Sequence, residues 1–179
     1  MRIISGKHKG RKIPNAIKLP VRPTTDQAKE ALFNILENSF DFDNISVLDL
    51  FSGTGNISYE FSSRGCKDII CIDENYRCIK FIKKNIKELN LEINYLQSDC
   101  LEFLKGTDKN FDVIFADPPY NYNYYYELKD IIFKRKILNK NGVLILEHDK
   151  SIKFDGKNID SRKYGNVHFS IFKNNIKDN

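Results

Sequence analysis

No run of about 18 apolar residues, the length a helix needs to cross a bilayer, occurs in the chain, and its longest apolar runs are strand length. A membrane partner is therefore not expected. The four cysteines, Cys66, Cys71, Cys78 and Cys100, stand singly inside apolar or helical patterns. With neither a secretory signal nor CxxC spacing they read as reduced core residues, and the expected location is the cytoplasm. His8, His148 and His168 show no ligand spacing, so no metal is expected. No internal repeat or low-complexity block competes with a globular reading.

What is present is a 179-residue chain, a size at which one domain buries about 70% of its unfolded surface without covalent staples. Its net charge of +5 is unevenly placed, because Arg2, Lys7, Lys9, Arg11, Lys12, Lys18 and Arg22 all precede the first acidic residue, Asp26. The rest holds 22 basic against 24 acidic residues. Segregation of this kind suggests a polyanion partner, although a solvated arm that aids solubility has the same composition. The division expected is a basic arm over residues 1–23 and a globular domain over residues 24–179.

The arm alternates short apolar pieces with glycines and basic residues, as a loop or small ribbon does. Pro23-Thr24-Thr25-Asp26 then supplies caps for a helix with Ala28, Ala31, Leu32, Ile35 and Leu36 at the 3.6 period. Three strand-then-helix units follow. Strand Ser46 to Phe51 runs into the glycine turn Ser52-Gly53-Thr54-Gly55-Asn56. Strand Ile69 to Ile72 ends in Asp73 before a helix with Ile79, Ile82, Ile86 and Leu89 at helical spacing. The third strand, Ile93 to Gln97, reaches Asp99 and a short segment with Leu101, Phe103 and Leu104. A fourth strand, Phe111 to Ala116, stops at Asp117-Pro118-Pro119-Tyr120, since two prolines deny the ladder its donors. A helix to about Ile137, a turn at Asn141-Gly142, a fifth strand from Val143 to Leu146 and a terminal antiparallel hairpin with its turn at Tyr164-Gly165-Asn166 complete the chain. The predicted class is α/β: a doubly wound, mostly parallel sheet with right-handed crossovers.

In such sheets ligands sit beyond the carboxyl ends of the strands. The glycine turn admits close backbone approach, and Asp73, 20 residues after Gly53, suits the hydroxyls of a ribose. Ser58 replaces the third glycine of the dinucleotide fingerprint, and Asp49 would repel a pyrophosphate while holding a cationic amino group. S-adenosylmethionine has that amino group and no phosphate. Asp99 and Cys100 could read an adenine edge, although Asp99 also suits a helix cap.

The exocyclic amine of a nucleobase is a poor nucleophile because its lone pair is delocalised into the ring. Acceptors on its hydrogens favour the attacking geometry, and Asp117 with the carbonyl of Pro118 can supply two that strengthen as charge develops on nitrogen. Tyr120 offers a stacking face worth about 1–3 kcal/mol. Tyr122, Tyr124, Tyr125 and Tyr126 either extend that surface or pack the start of the next helix.

Taken together, these segments resemble the bacterial RsmD family of class I, Rossmann-like methyltransferases, whose sheet has seven strands. The likeness spans nearly the whole chain: Arg2-Ile3-Ile4-Ser5-Gly6 with Gly10-Arg11-Lys12, then Arg22-Pro23-Thr24-Thr25-Asp26 leading to Glu30-Ala31-Leu32-Phe33-Asn34, then Leu48-Asp49-Leu50-Phe51-Ser52-Gly53-Thr54-Gly55, and Asp117-Pro118-Pro119-Tyr120. The resemblance implies methylation of a guanine N2 amine in 16S ribosomal RNA. A single small domain has little surface for reading sequence, so an assembled or assembling 30S particle is the expected partner, with a monomer as the default state. It implies S-adenosyl-L-methionine, leaving as S-adenosyl-L-homocysteine, at Asp49, Phe51, Ser52, Gly53, Gly55, Asn56, Asp73, Asp99 and Cys100. Asp117, Pro118, Pro119 and Tyr120 would surround the target amine, and Arg2, Lys7, Lys9, Arg11, Lys12, Arg22 and Thr24 would meet RNA.

Two rivals use the same residues. DNA adenine methylation needs the same amine chemistry but lacks a target-recognition domain here, and duplex DNA substrates would discriminate it. A non-catalytic RNA-binding module with a vestigial cofactor fold predicts no turnover and no effect of Asp117→Ala beyond stability.

Overall fold

The computed structural model describes residues 1–14, 19, 24–119, 121–156 and 159–174. Helix α1 (Asp26–Glu37) starts where Thr25 caps it, the threonine hydroxyl accepting the Ala28 N–H at 3.2 Å. A single 3-10 turn (Phe42–Asn44) leads into β1 (Ser46–Leu50), α2 (Asn56–Ser63), β2 (Asp68–Asp73), α3 (Tyr76–Leu89), β3 (Asn94–Gln97), α4 (Cys100–Gly106), β4 (Phe111–Ala116), α5 (Tyr125–Lys134) and β5 (Leu138–His148). The hairpin β6 (Ile159–Tyr164) and β7 (Val167–Lys173) follows. One seven-stranded sheet runs β3-β2-β1-β4-β5-β7-β6. All pairings from β3 to β5 are parallel, and β7 enters antiparallel between β5 and the edge strand β6. The order reverses between β1 and β4, the position at which a doubly wound sheet opens a crevice.

Strands that are continuously apolar in sequence still alternate in space, because successive side chains point to opposite faces. Val47, Cys71, Val113, Phe115 and Ile145 pack with Leu32, Phe33, Ile57, Phe61 and Ile82 from the first three helices. Leu48, Leu50, Ile114, Ala116 and Leu146 pack with Leu104, Leu128 and Ile132 from α4 and α5. Asp49 and Asp117 follow the parity of Val47 and Phe115. Both therefore lie on the face covered by the first three helices.

The amino-terminal ribbon is fastened to that face. Arg2 bridges antiparallel to Lys12, the Ile3 N–H donates to the Arg11 carbonyl at 3.0 Å, and Ile3 and Ile13 are buried in the core. Beneath it, the Glu60 carboxylate accepts the N–H groups of Ile4 at 2.8 Å and Ser5 at 2.9 Å, together with Arg64 Nε at 2.9 Å. Lys29 is fully buried; its Nζ donates to the Arg2 carbonyl and to Asn56 Oδ1, each at 2.7 Å, and lies 3.3 Å from Glu60. Burial pushes this ammonium below the usual lysine range, and Glu60 pulls it back up. Gly6 makes close approach possible: its φ is +78°, and a Cβ there would meet the Ser63 carbonyl at 1.8 Å.

Two expectations are corrected. Asn141-Gly142 does not precede the fifth strand but lies inside β5 as an irregularity opposite Phe111 and Val113. Its backbone groups find partners there, Asn141 N–H on the Asn174 carbonyl and Asn174 N–H on that of Gly142. The helix before it ends at Lys134, three residues short of Ile137. Among the described residues no helix is long and apolar enough to cross a membrane. All four cysteines are buried and free.

Candidate active site

A cleft of about 750 Å³ opens at the carboxyl end of the sheet, over the switch between β1 and β4. Its first wall is the glycine turn, which β1 delivers and β2 holds. Phe51, Gly53 and Gly55 all have positive φ, at 58°, 53° and 78°. The Gly53 N–H donates to Asp73 Oδ2 at 2.7 Å, and Ser52 N–H donates to the Ile72 carbonyl at 2.9 Å. Gly55 also leaves room for Tyr59, whose ring would lie 2.6 Å from a Cβ at that position. The residues of this wall that border the cleft are Asp49, Phe51, Ser52, Gly53, Thr54 and Asn56.

Not every predicted cofactor residue presents a free side chain. Ser52 Oγ donates to the Asp49 carbonyl at 2.6 Å, and Asn56 bridges Lys29 and the Thr24 carbonyl. Both shape the wall. Asp49 is 1% exposed and takes a hydrogen bond from Ser58 Oγ at 2.5 Å. Burial pushes its carboxyl up to about 7 despite that bond. Ser58, standing where a dinucleotide fingerprint has glycine, is thus the partner of the buried acid. Asp73 is pushed up by burial as well, opposed by the N–H groups of Asn75 and Gly53.

Asp99 and Cys100 border a small recess beside the main cleft, shared with Phe51, Ile72, Asp73 and Glu74. Asp99 caps α4 by accepting the Glu102 N–H at 3.0 Å, the helix-cap role that its position in the sequence also suits. The Cys100 sulfur lies 3.6 Å from the Tyr122 hydroxyl. Tyr122 meets Phe51, Tyr124 and Tyr125 edge to face. Tyr125 is buried and Tyr124 is 56% exposed, so the tyrosine run serves both packing and surface.

The opposite wall comes from the ends of β4 and β5. Asp117, Pro118 and Pro119 border the cleft, as do Glu147 and His148. Tyr120 lies outside the described residues. Asp117 is held well above the usual carboxylate range, by burial first and then by the charges of Glu147 and Asp49. Sequence reasoning missed Glu147, whose only signal was its parity with the inward Ile145 at the end of an apolar strand. The cleft thereby gathers the carboxylates Asp49, Asp73, Asp117 and Glu147. Such a site attracts a cation and repels phosphate. Among the described residues no group of His, Cys, Asp and Glu is arranged to hold a metal ion.

Of the predicted RNA contacts, Arg2, Lys7, Lys9, Arg11 and Lys12 are exposed on the ribbon, and Arg22 lies outside the described residues. Arg2 pairs with Asp26 at 3.1 Å. The basic tip sits at the far end of α2, where the Lys7 N–H donates to the Ser63 carbonyl. That is about 12 Å of helix from the glycine turn. Thr24 is placed differently: it is 6% exposed, borders the cleft, and its hydroxyl donates to Glu147 Oε2 at 2.9 Å.

Among solved structures, the Escherichia coli protein yhhF matches with a TM-score of 0.84 and 24% identity over 99% of each chain. An RNA methyltransferase from Salinibacter ruber in complex with S-adenosyl-L-homocysteine matches at 0.68 and 15% identity, over 88% of this chain and 97% of that one. These likenesses show the class I methyltransferase fold. In sequence, YlbH of Bacillus subtilis is 33% identical over 97% of this chain and 98% of its own length. Ribosomal RNA small subunit methyltransferase D of Buchnera aphidicola subsp. Acyrthosiphon pisum is 35% identical over 83% of this chain and 78% of its own. The family model described as conserved hypothetical protein 95 matches residues 1–173, and the chain belongs to that family, the RsmD family.

Proposed function

We propose that this protein transfers a methyl group from S-adenosyl-L-methionine to the exocyclic N2 amine of a guanine in small-subunit ribosomal RNA. The observation that carries the reading is the convergence of Asp117, at the end of β4, with Asp49, Asp73 and the glycine turn on one cleft. Relatives named as ribosomal RNA small subunit methyltransferase D support the substrate class, and the Salinibacter neighbour bound to S-adenosyl-L-homocysteine supports the cofactor.

The residues present fit that cofactor. A cleft of about 750 Å³ falls within the range usual for small-molecule sites, and its carboxylates suit a sulfonium and an ammonium. Asp49 would hold the ammonium end, and Asp73 with the backbone of Gly53 the ribose. The cofactor supplies an activated methyl group. Asp117 accepts one N–H of the target amine and the Pro118 carbonyl another, so the nitrogen pyramidalises and its lone pair decouples from the ring; both acceptors gain strength as positive charge develops, and Asp117 can take the proton that the methylated nitrogen sheds. The base must be unstacked to enter. The exposed ribbon cations would hold the RNA backbone. A monomer acting on a 30S particle in the cytoplasm completes the reading.

The test is transfer of labelled methyl groups to unmodified small ribosomal subunits, with the labelled nucleoside identified and Asp117→Ala run alongside. Label in N2-methylguanosine, abolished by the substitution, is the expected result. Label in adenine would overturn the target, and no label on subunits, naked RNA or DNA would overturn the reaction.

A further inference from the structure

We propose that Glu147 selects guanine, its carboxylate accepting the N1–H of the base while Asp117 accepts an N2–H. The inference rests on the methyltransferase reading of the cleft and assigns base identity to a residue outside the acceptor motif. Ala116 of β4 pairs with Leu146 of β5 in parallel register. One residue further, Asp117 and Glu147 leave adjacent strands on the face of Phe115 and Ile145, and both border the cleft. Neighbouring strands are about 4.8 Å apart, so the two carboxylates lie side by side. The influence of Glu147 on Asp117, second only to burial, agrees with that placement.

Two adjacent carboxylates on one half-buried cleft disfavour each other and together present a row of acceptors. A ligand with a row of N–H donors reverses the cost. Guanine has such a row on its Watson–Crick edge, where N1–H stands next to the N2 amine. Adenine and cytosine also carry an exocyclic amine, but the neighbouring ring nitrogen presents a lone pair. A second carboxylate would repel it. Thr24 fixes the aim of the reader, since its hydroxyl donates to Glu147 Oε2 at 2.9 Å and is itself held against Asn56 through the Thr24 carbonyl. Thr24 is thus a positioning residue.

The discriminating substrate is small-subunit RNA carrying 2-aminopurine at the mapped target position, which keeps the N2 amine and replaces N1–H with a lone pair. The full chain is assayed on both RNAs as wild type, Glu147→Gln and Thr24→Val, with cofactor affinity and thermal unfolding measured on each. Wild type is expected to favour guanine by at least about 100-fold, because a site built to bond a donor rejects the analogue lacking it. In Glu147→Gln, whose amide can donate to the lone pair, that ratio should fall at least about tenfold with cofactor affinity unchanged. Thr24→Val should lower it less, and it serves as the readout if the glutamine variant does not fold. An unchanged ratio in both variants, with wild type active on guanine, would overturn the role of Glu147 alone. A wild type inactive on guanine would overturn the proposed function and this inference with it.

Discussion

Asp73 and Asp117 both end a central strand of the same sheet, yet their surroundings differ in kind. Asp73 accepts the Gly53 N–H on one oxygen and the Asn75 N–H on the other. The charges that bear on Asp117 are those of Glu147 and Asp49. A carboxylate answered by backbone donors holds a wall in place. One set among like charges is, on the proposed reading, the acceptor for a donor from outside. Glu60 belongs with Asp73, since its two oxygens take the ribbon's N–H groups and Arg64.

The sharpest way to break this contrast is to truncate both strand-end acids. Asp117→Ala should lower kcat by about 10³-fold or more in the labelled-methyl assay while the thermal midpoint holds or rises. Asp73→Ala should instead show its loss in unfolding, by about 2–4 kcal/mol for two backbone donors left without their acceptor, together with weaker cofactor binding. A stability loss at Asp117 as large as that at Asp73 would erase the distinction. Glu60→Ala extends it: Lys29 would stay buried without its counter-charge, a change that costs about 3–5 kcal/mol and is measured by urea unfolding.

Asp49 allows a finer comparison through pH. Its carboxyl sits at about 7 in the fold against an ordinary 3.8. Between those values the folded chain holds a proton that the unfolded chain has released, so ligand-free stability should fall as pH rises through this window and level off above it. Cofactor affinity should move the other way. The ionised acid binds an ammonium best, and affinity should gain about tenfold from about pH 6 to about pH 8, a slope that Asp49→Asn flattens in titration calorimetry. The smallest effect is expected on the ribbon: alanine at Lys7, Lys9 and Arg11 should each reduce RNA affinity a few-fold and lower the salt slope by about one ion per charge, with kcat at saturation retained.

Much of this was legible in the chain. The strands, the glycine turn and Asp117 could be read because an apolar run that stops at a carboxylate and two prolines has few other meanings. Thr25 announced its helix by residue type and position. Lys29 was illegible, because a lysine on an amphipathic helix reads as solvated, and only three converging acceptors bury it, the Arg2 carbonyl of the ribbon with Asn56 and Glu60 of α2. Glu147 was missed because a lone acid at a strand end acquires meaning only from its neighbour on the next strand. Asn141-Gly142 reads as a turn from local preference, and the decision against it comes from Asn174, far along the chain.

Among the described residues β3 and β6 border the sheet, and open edges invite other strands. Its two borders decline in different ways. β3 is only four residues long, too little to template a lasting ladder. β6 exposes Ser161, Arg162 and Lys163 along its length. An incoming strand would have to strip water from those side chains before its first hydrogen bond formed, so the unpaired peptide groups stay wet.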